Sequence, residues 1–508
     1  MELSIAKLSN DPLFLSLLLL LLPLIIWLWL KLQANGRQKL NLPPSPPKLP
    51  LIGNIHQLGK LPHRSLRNLS KKYGSLLLLQ LGQNQTLVVS SADMVKEIVK
   101  NHDIAFSDRP RTTAANILLY GCTDVGFAPY GEYWRQARKI CVTELLSLQR
   151  VNSFQFVRDE EVEVAVDRLR RASFDREAVN LSELLMLVAN NVVSRSALSR
   201  KFESEDGKSK FGLLARRVLV LMTSSCVGDM FPYLNWIDYV RGFTSSLKQV
   251  NKEMDAIFDQ IIEENENSNN NDRQRDFLSI ILKLQQDGLL DMDLTLDNIK
   301  AFILDMLVGG TDTSSTTLEW VMAELMKNPT AMKKLQKEIR GVVGDKTKID
   351  MNDVNQMDYL KCVIKEALRL HPAVPLLLPR QTTSKVNLGG YEIPPDVTVF
   401  FNVWAIHMDP GLWEKPEEFI PERFENSSAD FKGQDFEYLP FGFGRRGCPG
   451  MAFAVAFILY TVANLLCWFD WEFTDGENAE NLDMDEVYGL TAYKKVPLRL
   501  MPILTKSD

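Results

Sequence analysis

A mainly α chain with minor β structure is predicted by three observations. Apolar residues recur at helical spacing through most of the sequence. Short apolar runs bounded by glycine and proline are confined to one early hairpin and to the late part of the chain. No segment repeats. The 508 residues are 45% hydrophobic, ample for a large core. No long interior linker divides them. The formal net charge of −6 argues against nucleic acid as a partner. Six cysteines without CxxC pairs read as reduced thiols rather than a disulfide framework.

Taken in order, Leu13 to Leu30 is apolar apart from Ser16 and Pro23, just long enough to span a bilayer. A cleaved signal peptide is the rival reading, but no small-x-small site follows Leu30. Lys31, Arg37 and Lys39 then place the bulk of the chain in the cytosol. Residues 1–34 are thus expected to be an anchor, 35–55 a proline-rich hinge and 56–508 one globular domain. Prolines between Leu42 and Asn54 forbid helix and give a stiff spacer, whose closing Leu51-Ile52-Gly53-Asn54 should dock on that domain.

Leu76–Leu81 and Thr86–Val89 flank Gly82-Gln83-Asn84-Gln85 as a hairpin. Helical spacing then covers Ala92–Asn101, Glu132–Leu146, Val151–Ala172, Leu181–Leu198, Lys210–Met222 and Phe243–Glu264. The Asn-rich run Asn265–Arg275 is the expected surface loop. Leu294–Met326 is one long helix, broken in character by Gly309-Gly310, and Asn355–Leu370 is another. Short β segments follow between Val386 and Phe401, near Trp471–Thr474 and at Val496–Pro502.

The chemistry concentrates in Phe441-Gly-Phe-Gly-Arg-Arg-Gly-Cys-Pro-Gly450. The apolar run Met451–Trp468 that follows reads as a buried helix, so Cys448 lies near a helix N-terminus, where a thiolate is favoured. A lone thiolate is a poor zinc site but a good axial ligand for haem iron. Taken alone, such a cysteine is more often a buried structural residue. Phe441, Gly444, Arg446, Cys448 and Gly450, however, fit Phe-x-x-Gly-x-Arg-x-Cys-x-Gly, and the chain resembles the cytochrome P450 family. The Arg445–Gly450 run, with the hinge and anchor, looks most like the plant microsomal A-type clan.

The resemblance implies a P450 fold, with haem b held between a long distal helix and the helix after the Cys loop. It implies that Cys448 is the iron ligand, that Phe441 packs near the thiolate, and that Arg446, Arg380 and the Trp134/Arg138 pair bind propionates. Two buried propionates need paired cations. Trp134 and Arg138, four apart, share a helix face.

Adjacent glycines cost about 1 kcal/mol each in a helix interior, so Gly309-Gly310 calls for a reason. Close helix packing is one; letting the helix approach a flat ring is the other. Thr313 can bond back to the Gly309 carbonyl, four residues earlier, opening a polar notch. By resemblance Asp312 and Thr313 deliver protons on the distal side. Glu366 and Arg369, an ordinary i,i+3 pair on their own, match the family's Glu-x-x-Arg, and Arg423 joins them in a structural cluster. Met408 departs from the arginine that relatives often carry there.

The expected activity is a monooxygenase that oxidises a hydrophobic plant metabolite with O₂ and electrons from NADPH. The electrons arrive through a P450 reductase, with cytochrome b5 as a second candidate donor, at the endoplasmic reticulum membrane. A basic patch of Arg135, Lys139 and Arg445 is the expected reductase site. A terpenoid is the first substrate class, with phenolic, alkaloid or amino-acid-derived compounds as the alternative. A hydroperoxide-rearranging haem-thiolate enzyme and a silent haem protein are weaker readings, because the Cys loop and Thr313 are intact. The expected pocket residues are Phe302, Asp305, Met306, Gly309, Val374, Leu376, Leu490 and Thr491.

Overall fold

A computed structural model gives the tertiary structure; it describes residues 40–202, 210–224, 226–266, 276–290, 292–474 and 476–505, with Leu21 and Pro23. The expected anchor and most of the Asn-rich loop lie outside the described residues.

One helix, Leu296–Lys327, runs through the middle of the molecule. Thr295 caps it in a reciprocal box with Asn298, and most of its residues from Leu318 onward are buried, so its second half is a core helix on every side. It packs along Leu181–Leu198 and against Asp358–Leu370 and Met451–Trp468. The last of these is apolar and long enough to cross a membrane, yet it sits within the protein's main apolar core.

The glycine pair does not interrupt the long helix, which stays α-helical throughout. The two glycines serve different ends. A Cβ on Gly310 would lie 3.0 Å from Val193 on the neighbouring helix, whereas nothing comes within 4 Å of one on Gly309. Both readings of the pair therefore hold, one residue each.

The hairpin forms with strands Leu76–Leu81 and Asn84–Val89, so the turn is only Gly82-Gln83, two residues shorter than expected, with Gly82 at φ 62°. Thr398–Phe401 adds in parallel to the second strand, and Arg380–Gln381 pairs with Thr398–Phe401. This four-stranded sheet buries a second, smaller core around Leu87, Val399 and Phe401. The proline-rich segment docks on it. Leu78 N–H donates to Pro44 O (2.9 Å), Asn54 is fully buried, and Gly53, at φ 62°, lies so close to Gln80 O that a Cβ would reach 2.0 Å.

Several helices end earlier than their apolar periodicity. Ala92–Glu97 passes into a π turn at Ile98–His102, and Glu132–Ile140 into one at Cys141–Leu145. The run at 148–175 breaks at Phe154, and the run before Leu370 splits into Met351–Asn355 and Asp358–Leu370. Periodicity reports which face is buried, and a π turn or short break preserves that face while shifting the ladder. The 488–493 region, expected as a turn, is a hairpin of Glu486–Tyr488 and Ala492–Lys494.

Candidate active site

The Cys loop is built before the helix that follows it. Gly442 and Gly444 take φ of 72° and 60°, a region closed to most side chains, and a Cβ at Gly444 would strike Asp103 at 2.6 Å. Gly447 and Gly450, expected to share this role, have ordinary negative φ. Cys448 N–H donates to Phe441 O (2.8 Å), which folds the loop back on itself. Sγ is deep in the protein but opens onto an internal cavity. Burial pushes the thiol up from its ordinary range, while the backbone N–H groups of Gly450 and Met451 and the Arg138 charge pull it down.

Across this cavity stands the long helix. Thr313 Oγ1 donates to Gly309 O at 2.6 Å, the bond expected from the sequence. The Asp312 carboxyl is buried, accepts a short bond from Thr491 Oγ1, and is raised by desolvation. Thr491 is carried by the 486–494 hairpin. That hairpin is fastened to the same helix by Trp320 Nε1, which donates to Ala492 O (2.9 Å).

Asp305, Met306, Gly309, Val374, Leu490 and Thr491 line the cavity. Phe302 and Leu376 do not. Phe302 is fully buried in the main core, and Leu376 packs with Leu66, Leu77 and Val88 under the sheet. Leu377 and Leu378 line the cavity instead. Leu377 has φ 54°, a strained value for a leucine, and that kink turns the chain between Leu376 and Leu377. Asp305, expected as a polar anchor, spends one oxygen on the loop opposite: Val125 and Gly126 N–H both donate to its Oδ2 (2.7 and 3.0 Å).

Four guanidiniums converge on one side of the cavity: Arg109, Arg138, Arg380 and Arg446. Arg446 donates to Ser107, Val125 and Ala128 carbonyls and lies 4.1 Å over the Trp134 ring. Trp134 stands behind it, its indole N–H given to Val125 O (3.0 Å), and does not reach the cavity. Arg138 donates to Gly447 O and Arg380 to Phe443 O. Arg109 holds Gly126, Leu378 and Pro379 carbonyls; the sequence gave no reason to separate it from its neighbours in the wall.

Burial, then the neighbouring guanidiniums, push Arg109 well below the usual range and Arg446 to about 9. Burial likewise brings Arg380 to about 10, and its Nη1 has no hydrogen-bond partner. Buried cations in such excess want an anion. A flat macrocycle with two carboxylates fits: a thiol opening from one face, an open glycine on the other, unspent guanidinium N–H at the edge.

On the proximal side Glu366 and Arg369 form a fully buried fork, Oε2 to Nε and Oε1 to Nη2 both at 2.7 Å. Arg423 Nε and Ile420 N–H also donate to Glu366 Oε1 (3.0 and 2.9 Å). The remaining Arg369 N–H groups hold the carbonyls of His407, Pro416 and Glu418. Arg423 holds Glu414 and Lys415 carbonyls. Met408 is buried against Leu370 and Trp404, and its carbonyl accepts from Arg67.

The cytochrome P450 family model matches residues 43–498. The chain is 51% identical over 471 residues to phenylacetaldehyde oxime monooxygenase of Prunus mume, covering 92% of this chain and 89% of that one. It is 50% identical to cytochrome P450 71A1 of Persea americana (88% and 91% covered) and 45% identical to the tabersonine/lochnericine 19-hydroxylase of Catharanthus roseus (91% and 93%). Among solved structures, a zebra fish cytochrome P450 with abiraterone superposes with a TM-score of 0.74 at 26% identity, covering 89% of this chain and all of that one. The chain therefore belongs to the cytochrome P450 family, and is a haem-thiolate monooxygenase whose cofactor is haem b and whose electrons come from NADPH through a reductase.

Proposed function

We propose that this enzyme oxidises a hydrophobic, ring-bearing specialised metabolite in the cavity between Cys448 and the Gly309–Thr313 notch. One observation carries this reading: the thiol and the notch open onto the same mostly apolar space. When bound, haem supplies the activation of O₂ and the oxidation itself. Cys448 Sγ is the residue to hold its iron, and Arg138, Arg380 and Arg446, with Arg109, are those to hold its carboxylates. Phe441, whose carbonyl anchors Cys448 N–H, lines the same wall and shields the sulfur.

Thr313 gives its proton to Gly309 O and keeps its lone pairs for a water donor in the cavity. Asp312, raised by burial, sits nearer neutrality than a surface carboxyl and is suited to pass protons at Oδ2. Thr491 holds that oxygen in place. Leu490, Val374, Leu377 and Met306 exclude water and bind the apolar body of the substrate.

Substrate class is read from the relatives. Their names give an aldoxime of phenylacetaldehyde, tabersonine or lochnericine, and strychnine, none of which favours a terpenoid. An aromatic, nitrogen-bearing compound is therefore placed ahead of a terpenoid. For the membrane, exposed Leu51, Tyr233, Trp236 and Val240 form an apolar surface. The segments carrying them meet at the hairpin tip, where Gly82 N–H donates to Ile52 O and Gln83 N–H to Met230 O. That surface adjoins the proline-rich segment and suits the endoplasmic reticulum bilayer as its contact. Cytochrome b5 is retained as a second electron donor.

The test is a screen of plant metabolites against the haem-loaded enzyme, reading the spectral change when a substrate displaces the water on iron, then product formation with reductase and NADPH. Aromatic aldoximes and indole alkaloids should give the strongest responses. A set in which only terpenoids respond overturns the substrate class; spectral binding without NADPH-dependent product from any compound overturns the activity.

A further inference from the structure

Two carboxyl groups from segments far apart in sequence meet at the roof of the cavity. Asp305 comes from the long helix, one turn before Gly309; Asp124 comes from the loop between Leu118 and Glu132. Asp305 Oδ2 accepts the N–H groups of Val125 and Gly126, while Asp124 Oδ2 accepts that of Phe127 at 2.6 Å. Each carboxyl thus binds the same three-residue stretch, one from outside the loop and one from within it. Asp124 Oδ1 is fully buried and finds no N–H or O–H donor. Neither group takes part in an ion pair among the described residues; Arg109, the nearest cation in the cluster, spends its N–H groups on three carbonyls.

Two buried carboxylates side by side cannot both stay charged. A proton between them removes the repulsion and gives Asp124 the donor it lacks. We propose that Asp124 and Asp305 share one proton, and that this acid–carboxylate pair fastens the 119–131 loop to the long helix as a positioning device for the cavity wall. That loop supplies Leu119, Val125, Gly126 and Phe127 to the wall, so the pair sets the shape presented to substrate. Val125 O also carries the Trp134 indole and an Arg446 N–H, so the same clasp keeps two residues of the propionate side in register.

The groups facing the pair are few. Arg109 and Arg446 favour ionisation. Tyr133 on the 132–140 helix, Cys122 in the loop and Cys141 in the π turn are themselves pushed up by burial and stay neutral. Burial, then Asp305, raises Asp124 well above the carboxylate range; burial raises Asp305 to about 6. The proton is accordingly retained at neutral pH and lost on the alkaline side, where two charges would part the loop from the helix.

The haem-loaded enzyme without substrate tests this by infrared spectroscopy and amide hydrogen exchange, neither of which needs turnover. The wild type should show a buried carboxylic-acid C=O band that is missing in Asp305→Asn and in Asp124→Asn. Exchange of peptides covering 119–131, corrected for intrinsic rates, should quicken in the wild type between about pH 7 and about pH 9. In Asp305→Asn it should stay slow, because an amide can accept from both N–H groups and donate to Asp124. Asp305→Ala, which leaves those N–H groups unmade, should exchange about tenfold faster at every pH. A missing band in the wild type, an Asn variant with the wild-type pH response, or an Ala variant protected like the wild type each overturns the shared proton and its role.

Discussion

The two faces of the haem site are built on opposite terms. On the proximal side every strong polar group is spent: Glu366 accepts from Arg369, Arg423 and Ile420, and Arg369 satisfies three more carbonyls. On the cavity side polar groups are left over. Arg380 Nη1, Thr311 Oγ1 and Asp124 Oδ1 are buried without donors or acceptors from the protein. A saturated network fixes one backbone arrangement, because any alternative strands a charge. An unsaturated one stores capacity for something that arrives later. The first holds the loop of Cys448; the second is where cofactor, protons and substrate are handled.

The largest effect should come from the one atom that belongs to both faces. Cys448→Ser is expected to abolish activity and the red-shifted Soret band of the ferrous–CO complex, read by difference spectroscopy. A serine variant keeping that band would remove the thiolate from the site. Next comes the saturated side. Glu366→Ala or Arg369→Ala strands a buried charge, and should cost about 3–5 kcal/mol with loss of haem retention, read by denaturant titration. A loss below about 1 kcal/mol, the scale of an exposed pair, would erase the contrast between the two faces.

On the cavity side the fold should survive and the chemistry suffer. Thr313→Ala and Thr491→Val should retain haem and substrate-binding spectra within a small margin while diverting NADPH consumption to peroxide. Thr491→Ser should restore coupling by supplying the hydroxyl that holds Asp312. Unchanged coupling in both variants across several good substrates would make these hydroxyls structural.

A subtler test concerns His407. Leu439 N–H donates to its Nε2 (2.9 Å), so its proton sits on Nδ1 and is given to Arg369 O (3.1 Å). Burial, then the Arg369 charge, lowers it to about 3. A depressed pKa means that the unfolded chain takes up the proton first. The stabilisation is whole above about pH 6.5 and is lost as pH falls toward 3. The stability difference between wild type and His407→Gln should shrink across that window, and a difference independent of pH would show the imidazole is not held neutral.

The smallest effect is at the surface. Arg135 and Arg445 are already engaged, Arg135 with Glu132 and Arg445 with Asp103 at 3.5 Å. Arg135→Glu with Lys139→Glu should slow first-electron transfer severalfold at low salt and little at high salt. Equal rates across a salt series would move reductase docking to another proximal surface.

The sequence by itself determined whatever is written in contiguous residues. The Cys loop, the Thr313 bond to Gly309, the Glu366/Arg369 pair and the helical faces depend on spacings of three or four residues along one segment, and local backbone geometry fixes such distances. Only the tertiary structure decided relations between segments. That Phe302 points into the core rather than the cavity, that a left-handed Leu377 turns Leu376 away, and that Thr491 lands on Asp312 were settled by packing. So was the meeting of Asp124 with Asp305, 181 positions apart in the numbering, with a backbone N–H ladder between them. Hydrophobic periodicity says that a face is buried, never against what. The partner of a buried polar group is chosen by the whole fold, because only there does leaving it unpaired carry its cost.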